Sequence, residues 1–314
     1  MKPSRSAYPL HWKILDGLER TVEALWPGRF KAALPYAMLV PVVLLVSVLV
    51  VGIVELFDSS LRTLDTSTFL MSDFYSLDNY RRALTENFFQ KVATRSFVAS
   101  LIVTAVTLVV AVPYAYLMVR TQSSVLRKFL LVALFFPFFI GEIVRAYGWL
   151  IILGNQGMVN EVLMFLGLPS ARLLYNYSAV IFGLIQYMLP FAVLMIAPAL
   201  TAIPVELEAA ANSLGANWVR TFRHVVLPLA RPGLVAGGLV VMTLSLTNFA
   251  IPAMLGGGSQ DFMSNVIYDQ FFRTSDQGLG AALSILLVAA GSVLVGIVFF
   301  FFGTGSLAIK GERK

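Results

Sequence analysis

The chain lacks cysteine entirely and contains only two histidines, His11 and His224, among its 314 residues. The absence of cysteine excludes disulfides, thiol nucleophiles, iron–sulfur clusters and cysteine zinc sites. Two histidines give little basis for a metal site, and we predict none. Charged residues are also scarce, because they make up 13% of the chain, whereas soluble domains have about 25%. Together with 58% hydrophobic residues, this composition excludes an ordinary cytosolic enzyme.

Sequence motifs of catalysis are missing as well. The chain has no G-x-x-x-x-G-K-[ST] phosphate-binding loop, so it does not bind and hydrolyse ATP by that route. It also has no H-E-x-x-H metalloprotease motif and no G-x-S-x-G nucleophile motif. We therefore predict that this chain is not an enzyme, has no catalytic residues and binds no cofactor of its own.

Six long apolar segments dominate the chain. A helix that crosses a membrane needs about 20 mostly apolar residues. We predict an all-α polytopic membrane protein with six transmembrane helices, the first at 32–57 and the others at 96–119, 129–153, 176–200, 233–256 and 279–303. The predicted order is a tail (1–31), the first helix, a connecting segment (58–95), a five-helix core (96–303) and a second tail (304–314).

Lysine and arginine are distributed unevenly between the connecting segments. The two tails and the loops 120–128 and 201–231 carry fifteen of these residues, whereas the segments on the opposite side carry seven. Because cytoplasmic loops are enriched in lysine and arginine, we predict that both tails and both loops are cytoplasmic. The segment 1–31 has no apolar run of its own, so we expect a retained tail rather than a cleaved signal peptide.

Proline and glycine within the spans predict how the helices pack. A proline inside a helix frees a carbonyl and bends the helix, which favours a bundle of broken or curved helices. Gly233 and Gly237 form a GxxxG pattern, which is typical of close helix packing. Proline lies inside five of the six predicted spans, at Pro41, Pro113, Pro137, Pro190, Pro198 and Pro252.

The third span is chemically unusual because it contains Glu142 and Arg145. Each charge costs about 2.5–3.5 kcal/mol at the centre of a bilayer, so both side chains must pair or face water. One interpretation is a structural ion pair, since the two share a helix face. The other is that Glu142 attracts a cationic solute while Arg145 organises the pathway or a gate. The remaining polar candidates for a translocation pathway are Gln186, Tyr187, Thr247 and Asn248, for which a structural role is the alternative.

The loop 201–231 carries the strongest local signal. Pro204 suits the first turn of a helix, and Glu206 and Glu208 lie near its N-terminus, where the helix dipole favours acidic side chains. Alanines 209–211 are strong helix formers, and Gly215 offers a left-handed stop. We therefore predict a short helix that ends close to Gly215.

A second short helix is predicted at 217–226, with Asn217 as its N-cap and Pro228 ending it. The alanines present a low-relief surface that a groove of another protein can approach closely, with apolar residues at its edges to fill pockets. The alternative is an amphipathic helix that lies on lipid with its basic face toward headgroups. The apolar set is Leu207, Leu214, Val219 and Phe222, and the basic set is Arg220, Arg223 and His224.

The residues of this loop resemble a known family. Residues 209–216 (AAANSLGA), followed by 225–228 (VVLP), are similar to the E-A-A-x-x-x-G and I-x-L-P loop of inner-membrane permease subunits of binding-protein-dependent ABC importers. The glutamate of the family aligns with Ala209, and Glu208 lies one residue earlier. Three further segments, 76–80 (SLDNY), 137–149 (PFFIGEIVRAYGW) and 154–160 (GNQGMVN), resemble the spermidine/putrescine branch of that family.

The resemblance, which extends over about 35–305, implies both a fold and partners. It implies the type I ABC importer permease fold in a bacterial inner membrane. It also implies two ATP-binding subunits that hold ATP and Mg, a second and different permease chain, a periplasmic solute-binding protein and no nucleic acid. The solute expected is small and polyamine-like, or a related amine or opine. An ion-gradient-driven secondary transporter is the alternative function.

The same resemblance implies which residues couple the permease to the ATPase. In the family, the short helix of the loop inserts into a cleft of the ATPase. The residues expected to do so here are Glu206, Glu208, Ala209, Ala210, Ala211, Leu214, Gly215, Leu227 and Pro228.

Overall fold

The computed structural model describes residues 34–65, 68 and 70–302, together with Trp12 and Asp16. The predicted tails, apart from those two residues, lie outside the described part. The chain divides into two compact units, 1–58 and 59–314. Helix α1 (Leu34–Ser60) lies in the first unit except for its last two residues.

The second unit contains a small hairpin and twelve further helical segments among the described residues. In chain order these are β1 (Arg62–Asp65), β2 (Leu70–Tyr75), α2 (Asp78–Thr85), α3 (Asn87–Arg120), α4 (Ser124–Phe139), α5 (Glu142–Ile152), α6 (Met158–Phe165), α7 (Tyr177–Thr201), α8 (Val205–Ser213), α9 (Trp218–Leu229), α10 (Arg231–Leu246), α11 (Ala250–Gly256), α12 (Met263–Phe272) and α13 (Gln277–Phe302).

Helices α3, α7 and α10 pack against one another and form the centre of the core. Their contact depends on small residues, because a Cβ added to Gly233 of α10 would lie 2.5 Å from the Cβ of Ala199 in α7. The close packing predicted for Gly233 and Gly237 is therefore observed. Large apolar side chains fill the rest of the core, including Val103, Leu184, Ile196 and Val241.

Within the described part of the chain, four helices are long and apolar enough to cross a membrane, and two bent pairs raise the number to six if each pair is one span. The third predicted span, 129–153, is broken, as the proline inside it favours. Its two halves, α4 and α5, meet at an angle of 101°. Pro137 lies in the last turn of α4, and Ile140 and Gly141 have extended backbone, which stops the helix.

The fifth predicted span, 233–256, is also interrupted. Helix α10 ends at Leu246, the backbone turns at 247–249, and α11 begins at Ala250. The side-chain oxygen Oδ1 of Asn248 accepts a hydrogen bond from the backbone nitrogen of Ile251 at 3.0 Å. This bond satisfies a backbone donor in the first turn of α11, as an N-cap does.

The second helix of the loop starts as predicted but ends later. Asn217 is its N-cap, because its side chain accepts a hydrogen bond from the backbone nitrogen of Arg220 at 2.9 Å. The helix then runs through Pro228 to Leu229, so the predicted end before Pro228 is wrong. A wider π-helical turn at Phe222–Val226 precedes the proline. This turn lets the helix accommodate a residue that has no backbone N–H and would clash with the carbonyl of the preceding turn.

The segment 58–95 contains structure that the sequence analysis missed. Strands β1 and β2 pair antiparallel, and α2 follows. The amide nitrogen of Asn79 in α2 donates hydrogen bonds to the carbonyls of Ser60 at 3.0 Å and Arg62 at 2.9 Å. An ion pair between Arg82 and Asp276, 3.3 Å, joins α2 to the start of α13. These contacts anchor the hairpin to the core.

Candidate functional site

A groove of about 590 Å³ opens between α5, α7 and the break that separates α10 from α11. Four of the residues predicted for a pathway line it, namely Glu142, Tyr187, Thr247 and Asn248. Two aromatic residues that the sequence analysis did not select, Phe191 and Phe249, also line it. Two signals in the sequence would have found them. Phe249 is adjacent to Asn248, and Phe191 lies one helical turn beyond Tyr187 on the same face of the helix.

Glu142 is held in this groove by Asn248. Its Oε1 accepts a hydrogen bond from Nδ2 of Asn248 at 2.6 Å. No ion pair between Glu142 and Arg145 occurs within the part of the chain that the structure describes. The structural ion pair that the sequence left open is therefore not formed. Glu142 is also the first residue of α5, where the N-terminal end of the helix dipole favours a negative charge.

Arg145 binds the backbone at the end of α4 instead. One guanidinium nitrogen donates to the carbonyl of Pro137 and, at 3.1 Å, to that of Ile140. The guanidinium carbon lies 5.3 Å from the ring centre of Tyr187, within the range of cation–π attraction. Arg145 thus satisfies carbonyls that the 101° break sets free and brings α5 against α7.

Gln186, like Arg145, does not line the groove with the other four predicted residues. Its Oε1 accepts a hydrogen bond of 3.4 Å from the indole nitrogen of Trp149. The Trp149 ring meets the edge of Phe182 at 4.6 Å between centres. Gln186 therefore joins α5 to α7 through a side-chain contact away from Glu142.

The predicted loop helix, α8, stands out from the core with none of its residues fully buried. Its end is a Schellman motif: the nitrogen of Gly215 donates to the carbonyl of Asn212 at 2.9 Å, and that of Ala216 donates to Ala211 at 3.1 Å. Gly215 has a φ of +80°, which is the left-handed conformation predicted for it. Leu214, just before it, is 90% exposed.

The two glutamates of α8 have different surroundings. Glu206 is exposed, whereas both carboxylate oxygens of Glu208 are bound within the chain. Oε2 accepts from the hydroxyl of Tyr116 at 2.7 Å, and Oε1 accepts from Nε of Arg120 at 2.8 Å. Arg120 was not selected from the sequence. Its position at the end of a long apolar helix was the only signal.

Helix α9 packs against both α8 and α3. The rings of Trp218 and Phe222 stack at 5.4 Å, and the ring of Tyr116 meets the edge of Phe222 at 5.3 Å. Leu227 packs against the core, and Pro228 is half-buried, so these two residues serve as a base for the loop. Of the residues predicted to contact the ATPase, the exposed ones are on α8 and its end, at Glu206, Ala209, Ala210, Leu214 and Gly215.

Comparison with known proteins identifies the family. Residues 96–304 match the family described as the inner membrane component of binding-protein-dependent transport systems. The chain belongs to this family. The resemblance predicted from the loop motif is thereby confirmed, and the chain is a multi-pass permease of the inner membrane. Membership favours the importer permease over the ion-gradient-driven transporter.

Individual relatives agree with this assignment. The chain is 34% identical over 250 residues to the spermidine/putrescine transport system permease protein PotB of Escherichia coli K12. The match covers 79% of this chain and 88% of that relative. The chain is 32% identical over 237 residues to PotB of Haemophilus influenzae, covering 74% and 81%. A chain in the crystal structure of a bacterial alginate ABC transporter superposes with a TM-score of 0.74 at 18% identity, covering 89% of this chain and 97% of that one. The fold is that of type I ABC importer permeases, as predicted.

Proposed function

We propose that this permease imports a small solute carrying ammonium groups, of the polyamine type or a related amine or opine. The observation that carries the proposal is the position of Glu142. Its Oε1 is bound by Asn248, and it lies in a groove that the rings of Tyr187, Phe191 and Phe249 also line. A carboxylate next to aromatic faces is the environment that attracts an alkylammonium group. The name of the PotB relatives, spermidine/putrescine permease, supports the same solute class.

Energy for import would come through the loop 201–231. We place two ATP-binding subunits, with their ATP and Mg, against α8, where Leu214 and the alanines form an accessible low-relief surface. A groove in such a subunit receives a short helix of this kind through its apolar side chains. When ATP draws the two subunits together, α8 moves as a rigid body and changes the packing of the membrane helices.

The remaining partners follow from the same proposal. A second, different permease chain completes the pathway, and a periplasmic solute-binding protein delivers the solute on the opposite face of the membrane. Both tails and the loops 120–128 and 201–231 face the cytoplasm, as the distribution of lysine and arginine favours. ATP hydrolysis takes place in the partner subunits.

Reconstitution into vesicles tests this function. The permease is purified with the partner permease, ATPase and binding protein that neighbouring genes encode, and uptake of labelled putrescine and spermidine is measured. We expect uptake that requires ATP on the ATPase side and the binding protein on the other. Uptake by this chain alone, driven by a proton or sodium gradient, would overturn the proposal in favour of a secondary transporter. ATP-driven uptake restricted to solutes without amino groups would overturn the solute class only.

A further inference from the structure

Arg120 connects three segments of the chain at the base of α8. It is the last residue of α3, and its Nε donates to Oε1 of Glu208 in α8 at 2.8 Å. Its Nη2 donates to the carbonyl of Ile203 at 2.8 Å, in the turn between α7 and α8. Ile203 itself is 4% exposed. One guanidinium group therefore holds the ends of α3 and α7 and the first turn of α8 in a fixed arrangement.

Both carboxylate oxygens of Glu208 are bound within the chain. Oε1 is bound by Arg120 and Oε2 by the hydroxyl of Tyr116, also in α3. The side chain is 13% exposed and that of Arg120 is 16% exposed. Hydrogen bonds between charged groups that are shielded from water are stronger and more directional than exposed ones. This makes the pair a rigid link rather than a docking contact.

Whether Glu208 is a link within the chain or a docking residue matters because it lies next to Ala209. The glutamate of the family motif aligns with Ala209, so Glu208 is the nearest candidate to replace it on the surface of the loop. The structure turns Glu208 toward α3 and leaves Glu206 exposed. The accessible face of α8 therefore contains Glu206, Ala209 and Ala210, and the inner face contains Glu208.

We propose that Glu208 and Arg120 are positioning residues that fix α8 to α3, so that a displacement of α8 moves the central helices instead of bending the loop. The inference rests on the proposed function, because displacement of α8 by an ATPase is what the link would transmit. Helix α3 is suited to receive this motion, since it packs against both α7 and α10 over the membrane region. Without the link, α8 would remain connected through the turn at Ile203 and through α9 only.

The first test measures the link without requiring transport. The chain has no native cysteine, so spin labels can be placed at Val109→Cys in α3 and Ser213→Cys in α8, and the distribution of distances measured by pulsed electron spin resonance. We expect one narrow distribution for the labelled parent and for the exposed control Glu206→Gln. We expect a clearly broader distribution for Glu208→Gln and for Arg120→Gln. An unchanged width for Glu208→Gln would overturn the inference whether or not the chain proves to be an importer.

The second test measures coupling in the reconstituted importer. For Glu208→Gln we expect the ATPase subunits to remain bound and to hydrolyse ATP, while solute uptake per ATP falls by about fivefold or more. Glu161→Gln, the same change on an exposed face of α6, retains the parental ratio. The double variant Glu208→Gln with Arg120→Gln is no worse than the single variants because both remove the same link. Tyr116→Phe, which keeps the ion pair, gives a smaller decrease. Loss of ATPase binding by Glu208→Gln with an unchanged ratio would show that Glu208 is a docking residue and would overturn the inference.

Discussion

Asn248 and Glu142 are 106 residues apart in the chain, yet Nδ2 of the first lies 2.6 Å from Oε1 of the second. Each residue lies at a break in a membrane segment: Glu142 begins α5, and Asn248 lies between α10 and α11. The two breaks therefore meet at one point in the groove. Because irregular backbone in a membrane is tolerated only within protein or next to water, this meeting point is where a polar pathway is most easily built.

Replacement of Glu142 by Gln tests the charge in the groove. Hydrogen bonds to a charged group contribute about 1.5–3 kcal/mol, so for Glu142→Gln we expect the KM for an amine solute to rise about tenfold or more. The matched control is Glu161→Gln, which makes the same change on an exposed face of α6. The measurement is ATP-dependent uptake at several solute concentrations. A parental KM combined with a lower unfolding temperature would assign Glu142 a structural role only.

Replacement of Gly215 tests the end of α8. Its φ of +80° is a conformation that costs about 1–2 kcal/mol for a residue with a β-carbon, and no atom lies within 4 Å of an added Cβ, so the effect is conformational. We expect Gly215→Val to weaken retention of the ATPase subunits and to reduce uptake. Gly215→Asn is the control, because asparagine tolerates this conformation. Equal retention of the ATPase by all three proteins would contradict the prediction.

Replacement of Gly233 tests the packing of α10 on α7. An added methyl group would meet the Cβ of Ala199 at 2.5 Å and the carbonyl oxygen of Met195 at 3.2 Å. Gly233→Ala therefore forces the helices apart, and we expect it to lower the free energy of unfolding by about 1–3 kcal/mol. Gly291→Ala in α13, where the space is open, is expected to leave stability unchanged or slightly improved. Thermal unfolding in detergent compares the two variants.

The carboxyl group of Asp261, between α11 and α12, is expected to make the stability of the protein depend on pH. Burial, together with the nearby charge of Asp269, raises the pKa of its carboxyl above the ordinary value, although Arg95 and Arg273 oppose the shift. The folded state thus favours the protonated carboxyl. The contribution of this protonated group to stability is lost as the pH rises through the raised pKa. We expect Asp261→Asn to raise the unfolding temperature at pH 7, with a gain that shrinks toward pH of about 4. A gain that is constant over this range would refute the assignment.

Much of this molecule was predictable from local sequence. Apolar segments of sufficient length predicted the spans, because a helix in lipid satisfies its own backbone groups. Alanines followed by Gly215 predicted α8 and its left-handed end, and the motif around them predicted the family. These features depend on neighbours within a few residues, so the sequence contains all the information that they need.

The geometry of the helix breaks and the contacts between distant side chains were not predictable in the same way. Pro137 indicated a bend, but the 101° turn also requires Ile140 and Gly141 in extended conformation and Arg145 on the freed carbonyls. The hairpin at 62–75 was missed because its strands are short and lack a strict alternation of apolar and polar residues. The pairing of Glu142 with Arg145 was favoured by spacing on one helix, but the helix break offered Arg145 the carbonyls of α4 instead.

The sequence by itself determined that this chain is a polytopic membrane permease with an exposed loop helix, because hydropathy, charge distribution and a local motif are properties of contiguous segments. Only the tertiary structure decided which polar side chains meet: Glu142 with Asn248, and Glu208 with Arg120 and Tyr116. Polar groups in a low-dielectric interior must find partners, and the partner chosen is the one that helix packing brings within reach, at whatever distance along the chain.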